Sequence, residues 1–78
     1  MKELLILIVR ELVEDKDNVR VTEDEPNEEG TIVFHVNVGA EDMGRIIGKQ
    51  GRIAKAIRTI MRGVAARENA RVLVEIDD

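Results

Sequence analysis

The run Arg45-Ile46-Ile47-Gly48-Lys49-Gln50-Gly51-Arg52-Ile53-Ala54-Lys55-Ala56-Ile57-Arg58 places two glycines three residues apart among isoleucines and basic side chains. Lacking a Cβ, each glycine can take backbone angles closed to other residues and lets another chain approach to backbone distance. The turn feeds the N-terminus of a helix over 52–67, where unpaired N–H groups and the positive end of the dipole favour an anion. Lys49 stands at the tip, and Arg52 and Lys55 follow on the next turn. Such an arrangement suits a phosphodiester backbone and needs no base identity, because every nucleotide offers the same phosphates. On a helical wheel Ile53, Ile57, Ile60, Met61 and Val64 share one arc, bordered by Ala54 and Ala65, while Arg52, Lys55, Arg58 and Arg62 share another. The first arc is expected to pack on a sheet. A mononucleotide loop does not fit: Gly44 and Gly48 are too close for G-x-x-x-x-G-K-[ST], and Gln50 stands where a magnesium-binding hydroxyl is needed. The glycines also do not follow a strand directly, as a dinucleotide fold requires.

Outward from this run, residues 41–47 are expected to form a short helix whose Glu41 and Asp42 favour its positive end. Residues 2–14 carry apolar side chains at helical spacing, with Leu7 nearly opposite the apolar arc and expected to be exposed. Asp15–Asn18 reads as a turn, and Val19 and Val21 alternate with polar neighbours as a short strand. The acidic connector 24–30 has Pro26 and Gly30 near its ends and reads as a solvated hairpin loop, without the ligand order of a calcium loop. Residues 31–38 alternate cleanly, with Ile32, Phe34, Val36 and Val38 on one side and His35 on the more polar side. Residues 71–76 form a last strand. The order is helix, strand, strand, helix, glycine turn, helix, strand. The expected core is Leu5, Ile8, Val9, Leu12, Ile32, Phe34, Val36, Ile53, Ile57, Ile60, Val64, Val72 and Val74.

The chain has 78 residues and a net charge of −4. That length suits one small domain with a limited core, expected to span 1–78. The average charge hides an asymmetry. Residues 1–42 hold four basic and twelve acidic side chains, residues 43–71 eight basic and one acidic, and residues 72–78 three acidic. The local excess of seven positive charges makes one surface a candidate for a polyanion. No acid interrupts residues 43–67, where salt-bridge partners would stand if the cations served solubility alone. There is no Cys, Ser, Trp or Tyr, which excludes disulfides, thiolate metal sites and Ser or Cys nucleophiles. The apolar run Leu4–Val9 is too short for a membrane span or secretory signal, so a cytoplasmic protein is expected.

Ile47-Gly48-Lys49-Gln50-Gly51, between two helices and closed by a strand, resembles the GXXG signature of KH domains. The order αββααβ is similar to the type II KH arrangement, an α+β fold with a three-stranded mixed sheet and helices on one face. Essentially the whole chain resembles the small stand-alone bacterial KH proteins of the KhpA (YlqC-like) family. The resemblance implies non-enzymatic binding of single-stranded RNA, with about four nucleotides clamped in one groove and no cofactor or metal. It assigns the phosphates to Gly48, Lys49, Gln50 and Gly51, flanked by Arg45, Arg52 and Lys55, and makes Ile46, Ile47 and Ile53 candidates for the groove floor. It also implies a homodimer, or a heterodimer with a Jag/EloR-type KH protein, and a role as a global RNA-binding regulator or RNA chaperone. A protein-interaction adaptor of KH shape is the alternative. Aromatic residues are 1% of the chain, which argues against folds that stack bases on rings.

Overall fold

The structure, a computed structural model, describes residues 1–77, with the side chains of Lys49, Gln50 and Asp77 outside the described set. Its elements are α1 (Lys2–Leu12), a 3-10 turn (Lys16–Asn18), β1 (Arg20–Glu23), β2 (Thr31–Asn37), α2 (Ala40–Arg67) and β3 (Arg71–Asp77). The sheet order is β1-β2-β3. β1 runs antiparallel to β2 and sets Val21 opposite Val36. β3 runs parallel to β2, aligning Phe34 with Val74 and Val36 with Ile76. This is the expected mixed α+β sheet, with the hairpin around the acidic connector and the last strand returning through the helical crossover. The hairpin loop is held from within: the Asn27 side-chain oxygen accepts the N–H groups of Glu29 and Thr31, each at 3.0 Å.

The alternation of β2 points Phe34 and Val36 at the helices, where both are buried. Leu5 and Val9 of α1 and Ile46, Ile57 and Met61 of α2 close over them in one cluster with Val21 and Val74. All the long helices therefore lie on one face of the sheet.

The helix–turn–helix expected over 41–67 is a single helically bonded segment of 28 residues, which already begins at Ala40. The bonding pattern runs through Gly48–Gln50, so these residues are not a loop stripped of helical structure. The segment nevertheless cannot be straight. Twenty-eight residues at 1.5 Å each would span about 42 Å, whereas the molecule's longest dimension is 34 Å. Gly51 has φ 70°, outside the right-handed helical region. It divides α2 into a first arm (40–50) and a second arm (52–67). The second arm ends on Asn69 at φ 54°, with Ala70 N–H bonding Ala65 O and Asn69 N–H bonding Ala66 O. That pair of bonds is the Schellman ending, with asparagine in the position that usually takes glycine.

The core differs from expectation in one systematic way. The second arm buries Ala54, Ile57, Met61 and Ala65, while Ile60 and Leu12 are exposed and Ile8, Ile32, Ile53, Val64 and Val72 are half-buried. The arm is rolled so that its alanine edge faces the sheet, because small residues let the helix approach closely. Ile53 and Ile60 are thereby turned toward α1. Val13, Val21, Met43 and Ile46 join the core in their stead.

One polar group is buried with this core. Asp42, 3% exposed, accepts the N–H groups of Glu14 and Asp15 at 3.0 Å each. It thus ties the exit of α1 to the first turn of α2. These two N–H groups, helped by the nearby Arg45 charge and opposed by burial, hold its carboxyl below the usual range. A depressed folded value means that its stabilisation is complete above the unfolded carboxylate pKa and fades as pH falls through the folded one. Asp42→Asn should lower Tm at neutral pH. The gap to the unmodified chain should close progressively on acidification below about pH 4, measured by circular-dichroism melts. A gap independent of pH would contradict the assignment.

Candidate nucleic-acid interface

The two glycines serve different purposes. Gly51 needs its missing Cβ for conformation, since φ 70° costs an L-residue about 1–2 kcal/mol. Gly48 is not among the positive-φ residues, and a Cβ built on it meets nothing within 4 Å. Its missing side chain therefore relieves nothing inside the molecule; it leaves open space above a half-buried stretch of backbone. The side chains of Lys49 and Gln50, both expected in the site, lie outside the described residues.

The flanking cations fall into two groups. Arg45 is engaged: its guanidinium lies 3.1 Å from Glu14 and 3.6 Å from Asp42, and the Glu14 contact raises its pKa further. It belongs with the Asp42 tie between α1 and α2, and its charge is largely compensated. Arg52 and Lys55 are exposed and form no ion pair among the described residues. Among the described cations, those free to act at the glycine pair are therefore Arg52 and Lys55 of the second arm, and Arg45 of the first is not.

The three isoleucines expected to floor a groove separate. Ile47, 49% exposed, lies next to Gly48 and presents apolar surface to solvent. Ile46 is 1% exposed and belongs to the core, so it supports the site from beneath and cannot meet a base. Ile53 faces α1 across a groove of 480 Å³ shared with Leu7, Leu12 and Ile60. Adjacent residues on a helix point about 100° apart, so only one of Ile46 and Ile47 could have faced outward.

The second arm consequently has distinct flanks on either side of its buried edge. Ile53, Ala56 and Ile60 line the α1 groove. On the opposite flank Gly51, Lys55, Arg58 and Arg62 fall within about 60° of one another on the helical wheel. Arg58 donates Nε–H to the carbonyl of Val74 at 3.1 Å, which orients this flank toward β3. Sequence reasoning placed Arg58 and Arg62 on a cationic arc but did not include them in the site. Their link to β3 depends on the roll of the arm, which hydrophobicity alone misjudges.

His35, on the outer side of the sheet, places Nε2 2.9 Å from Asp24 and Nδ1 3.8 Å from Glu75. It is cross-strand pairing far in sequence from the glycine run. Among the described residues no group of three His, Asp or Glu side chains is arranged to hold a metal ion. No helix of the described residues is long and apolar enough to cross a membrane.

Comparison with known proteins places these features in a family. The family model described as "KhpA/KhpB, KH domain" matches residues 2–76. The RNA-binding protein KhpA of Clostridium acetobutylicum is 51% identical over 76 residues, covering 97% of this chain and 99% of its own length. The RNA-binding protein KhpA of Aquifex aeolicus is 45% identical over 76 residues, covering 97% and 94%.

The differing roles of the glycines give opposite effects on stability. Gly48→Ala should leave the fold intact and raise its stability by about 0.5–1 kcal/mol, the helix-propensity gain. Gly51→Ala should lower stability by about 1–2 kcal/mol. Urea titration of both variants checks the pair; a Gly48→Ala loss as large as that of Gly51→Ala would contradict the open space above Gly48.

Proposed function

The chain belongs to the KhpA/KhpB family of KH-domain proteins, and from that premise we propose that it is a non-enzymatic protein that binds single-stranded RNA. About four nucleotides are clamped at the bend of α2. The backbone of Gly48 and Gly51 admits the sugar–phosphate strand, Lys49 and Gln50 contribute an ammonium and an amide to its phosphates, and Arg52 and Lys55 supply further charge. Ile47 offers aliphatic surface to a base. The observation that carries this reading is the open space above Gly48 beside two cations that lack acidic partners among the described residues. A phosphate strand can replace water there without first breaking ion pairs, whereas recruiting Arg45 would cost its bonds to Glu14 and Asp42. Such a clamp reads shape and phosphate, which suits a cytoplasmic regulator or RNA chaperone acting on many transcripts. The nucleophile inventory agrees with a non-enzymatic role: it consists of Thr22, Thr31, Thr59 and lysines, and the single imidazole is engaged by carboxylates.

A second reading is favoured by the groove between α1 and the second arm. Leu7 is 57% and Ile60 47% exposed there, facing an otherwise apolar lining with Glu11 and Arg52 at its rim. We propose that this is the surface through which the chain pairs with a second copy or with a KhpB-type (Jag/EloR-type) KH partner. Pairing there leaves the β3 side of the arm free, so dimerisation and RNA binding are compatible.

Each reading has its own test. A fluorescent single-stranded RNA should bind with Kd on the order of micromolar and weaken with salt, since one module neutralises few phosphates. Replacing Lys49 and Gln50 by Asp should lower affinity at least about 10-fold, the loss of one to two phosphate contacts plus repulsion, with Tm retained. Undiminished affinity would overturn the clamp. Ile60→Glu should shift sedimentation toward the monomer while RNA affinity per chain persists. A stable oligomer without salt-dependent RNA binding would instead make the chain an adaptor.

A further inference from the structure

At the far end of the second arm lies a separate groove of 600 Å³. Arg62 from α2 and Arg71 from the start of β3 converge on it, with Asn27, Glu29 and Thr31 from the hairpin and Leu73 beside them. We propose that this groove is a second phosphate subsite that extends the RNA path beyond the four-nucleotide clamp, a proposal that rests on the single-stranded RNA reading above.

Three observations carry it. First, the path is continuous. Arg62 is eleven residues beyond Gly51 on the same flank of the helix, about 16 Å along its axis, with Lys55 and Arg58 between. Second, the groove is rich in donors. The Asn27 side-chain oxygen accepts the N–H groups of Glu29 and Thr31, which fixes the amide in the groove lining alongside Thr31, Arg62 and Arg71, all residues with side-chain donors. Third, the arginines are uncompensated. Glu29 lines the same groove, yet neither Arg62 nor Arg71 forms an ion pair among the described residues. Guanidiniums that form no ion pair keep their forked donors available, and a phosphate entering the groove accepts planar paired hydrogen bonds from them. Leu73, 46% exposed, gives a ribose or base an aliphatic surface next to them.

The test compares a tetranucleotide with an octanucleotide of oligouridylate, by fluorescence anisotropy at two salt concentrations. The unmodified chain should bind the octanucleotide roughly 10-fold more tightly, the gain expected from two more neutralised phosphates. Arg62→Ala/Arg71→Ala should reduce octanucleotide affinity to that of the tetranucleotide, leave the tetranucleotide unchanged, and flatten the salt slope by roughly 1.4. Glu29→Gln should tighten octanucleotide binding alone, a gain that a misfolded variant cannot produce. Full octanucleotide affinity in the double variant overturns the subsite while the clamp stands. Equal weakening of both lengths also overturns it, as a diffuse field effect. If the unmodified chain binds neither strand, the clamp and the subsite fall together.

Discussion

A right-handed helix cannot carry a residue at φ 70° and keep its direction, and most of this molecule's architecture follows from Gly51 doing so. The bend is what allows 28 helically bonded residues to fit a body 34 Å long. It returns the second arm across the sheet, so that β3 begins opposite Thr31 and runs parallel to β2. It also lets both arms contribute to one core, with Ile46 from the first and Ile57 and Met61 from the second. The same bend exposes backbone at a point where a helical arm begins anew. Fold and site are therefore two consequences of one backbone angle.

Holding the bend in place requires the first arm to be fixed at its start. Asp42 does this from an almost fully buried position by accepting two backbone N–H groups from the segment after α1. A buried carboxylate is costly unless its oxygens are satisfied, and here both are. Arg45 balances the remaining charge together with Glu14. The acid that the sequence suggests as a helix-dipole partner is thus a long-range tie as well. Its basic neighbour is drawn inward with it.

Much of the fold was legible because β2 alternates strictly and the glycine run sits between helical periodicities. Strand pairing, the parallel return and the single helical face all follow from those patterns. The roll of the second arm was not legible. Isoleucines outrank alanines on any hydrophobicity count, yet Ala54 and Ala65 face the sheet, since their size permits close approach, and Ile53 and Ile60 turn to α1. That roll carries Arg58 to the Val74 carbonyl and brings Arg62 to the groove that Arg71 also lines. The site shows the same division. The glycines are identifiable by type and spacing, whereas the engagement of Arg45 and the burial of Ile46 depend on partners 31 residues away and on helix phase.

Charge pairing finally explains how an acidic chain can offer a surface to a polyanion. Of the cations between 43 and 71, Arg45 alone has acidic partners among the described residues, and it sits on the arm nearest the acid-rich N-terminal half. Arg52, Lys55, Arg58, Arg62, Arg67 and Arg71 lie on the second arm or at its exit, where few acids reach. Separating the charges in this way carries a cost in self-repulsion, since each free arginine forgoes a neutralising neighbour. The cost is small in water and falls with salt screening. The return is that a phosphate strand meets donors already free of competing carboxylates, so binding does not begin by dismantling the protein's own contacts. Net charge is then a poor guide to partners, because −4 over the whole chain is compatible with a strongly positive helix flank.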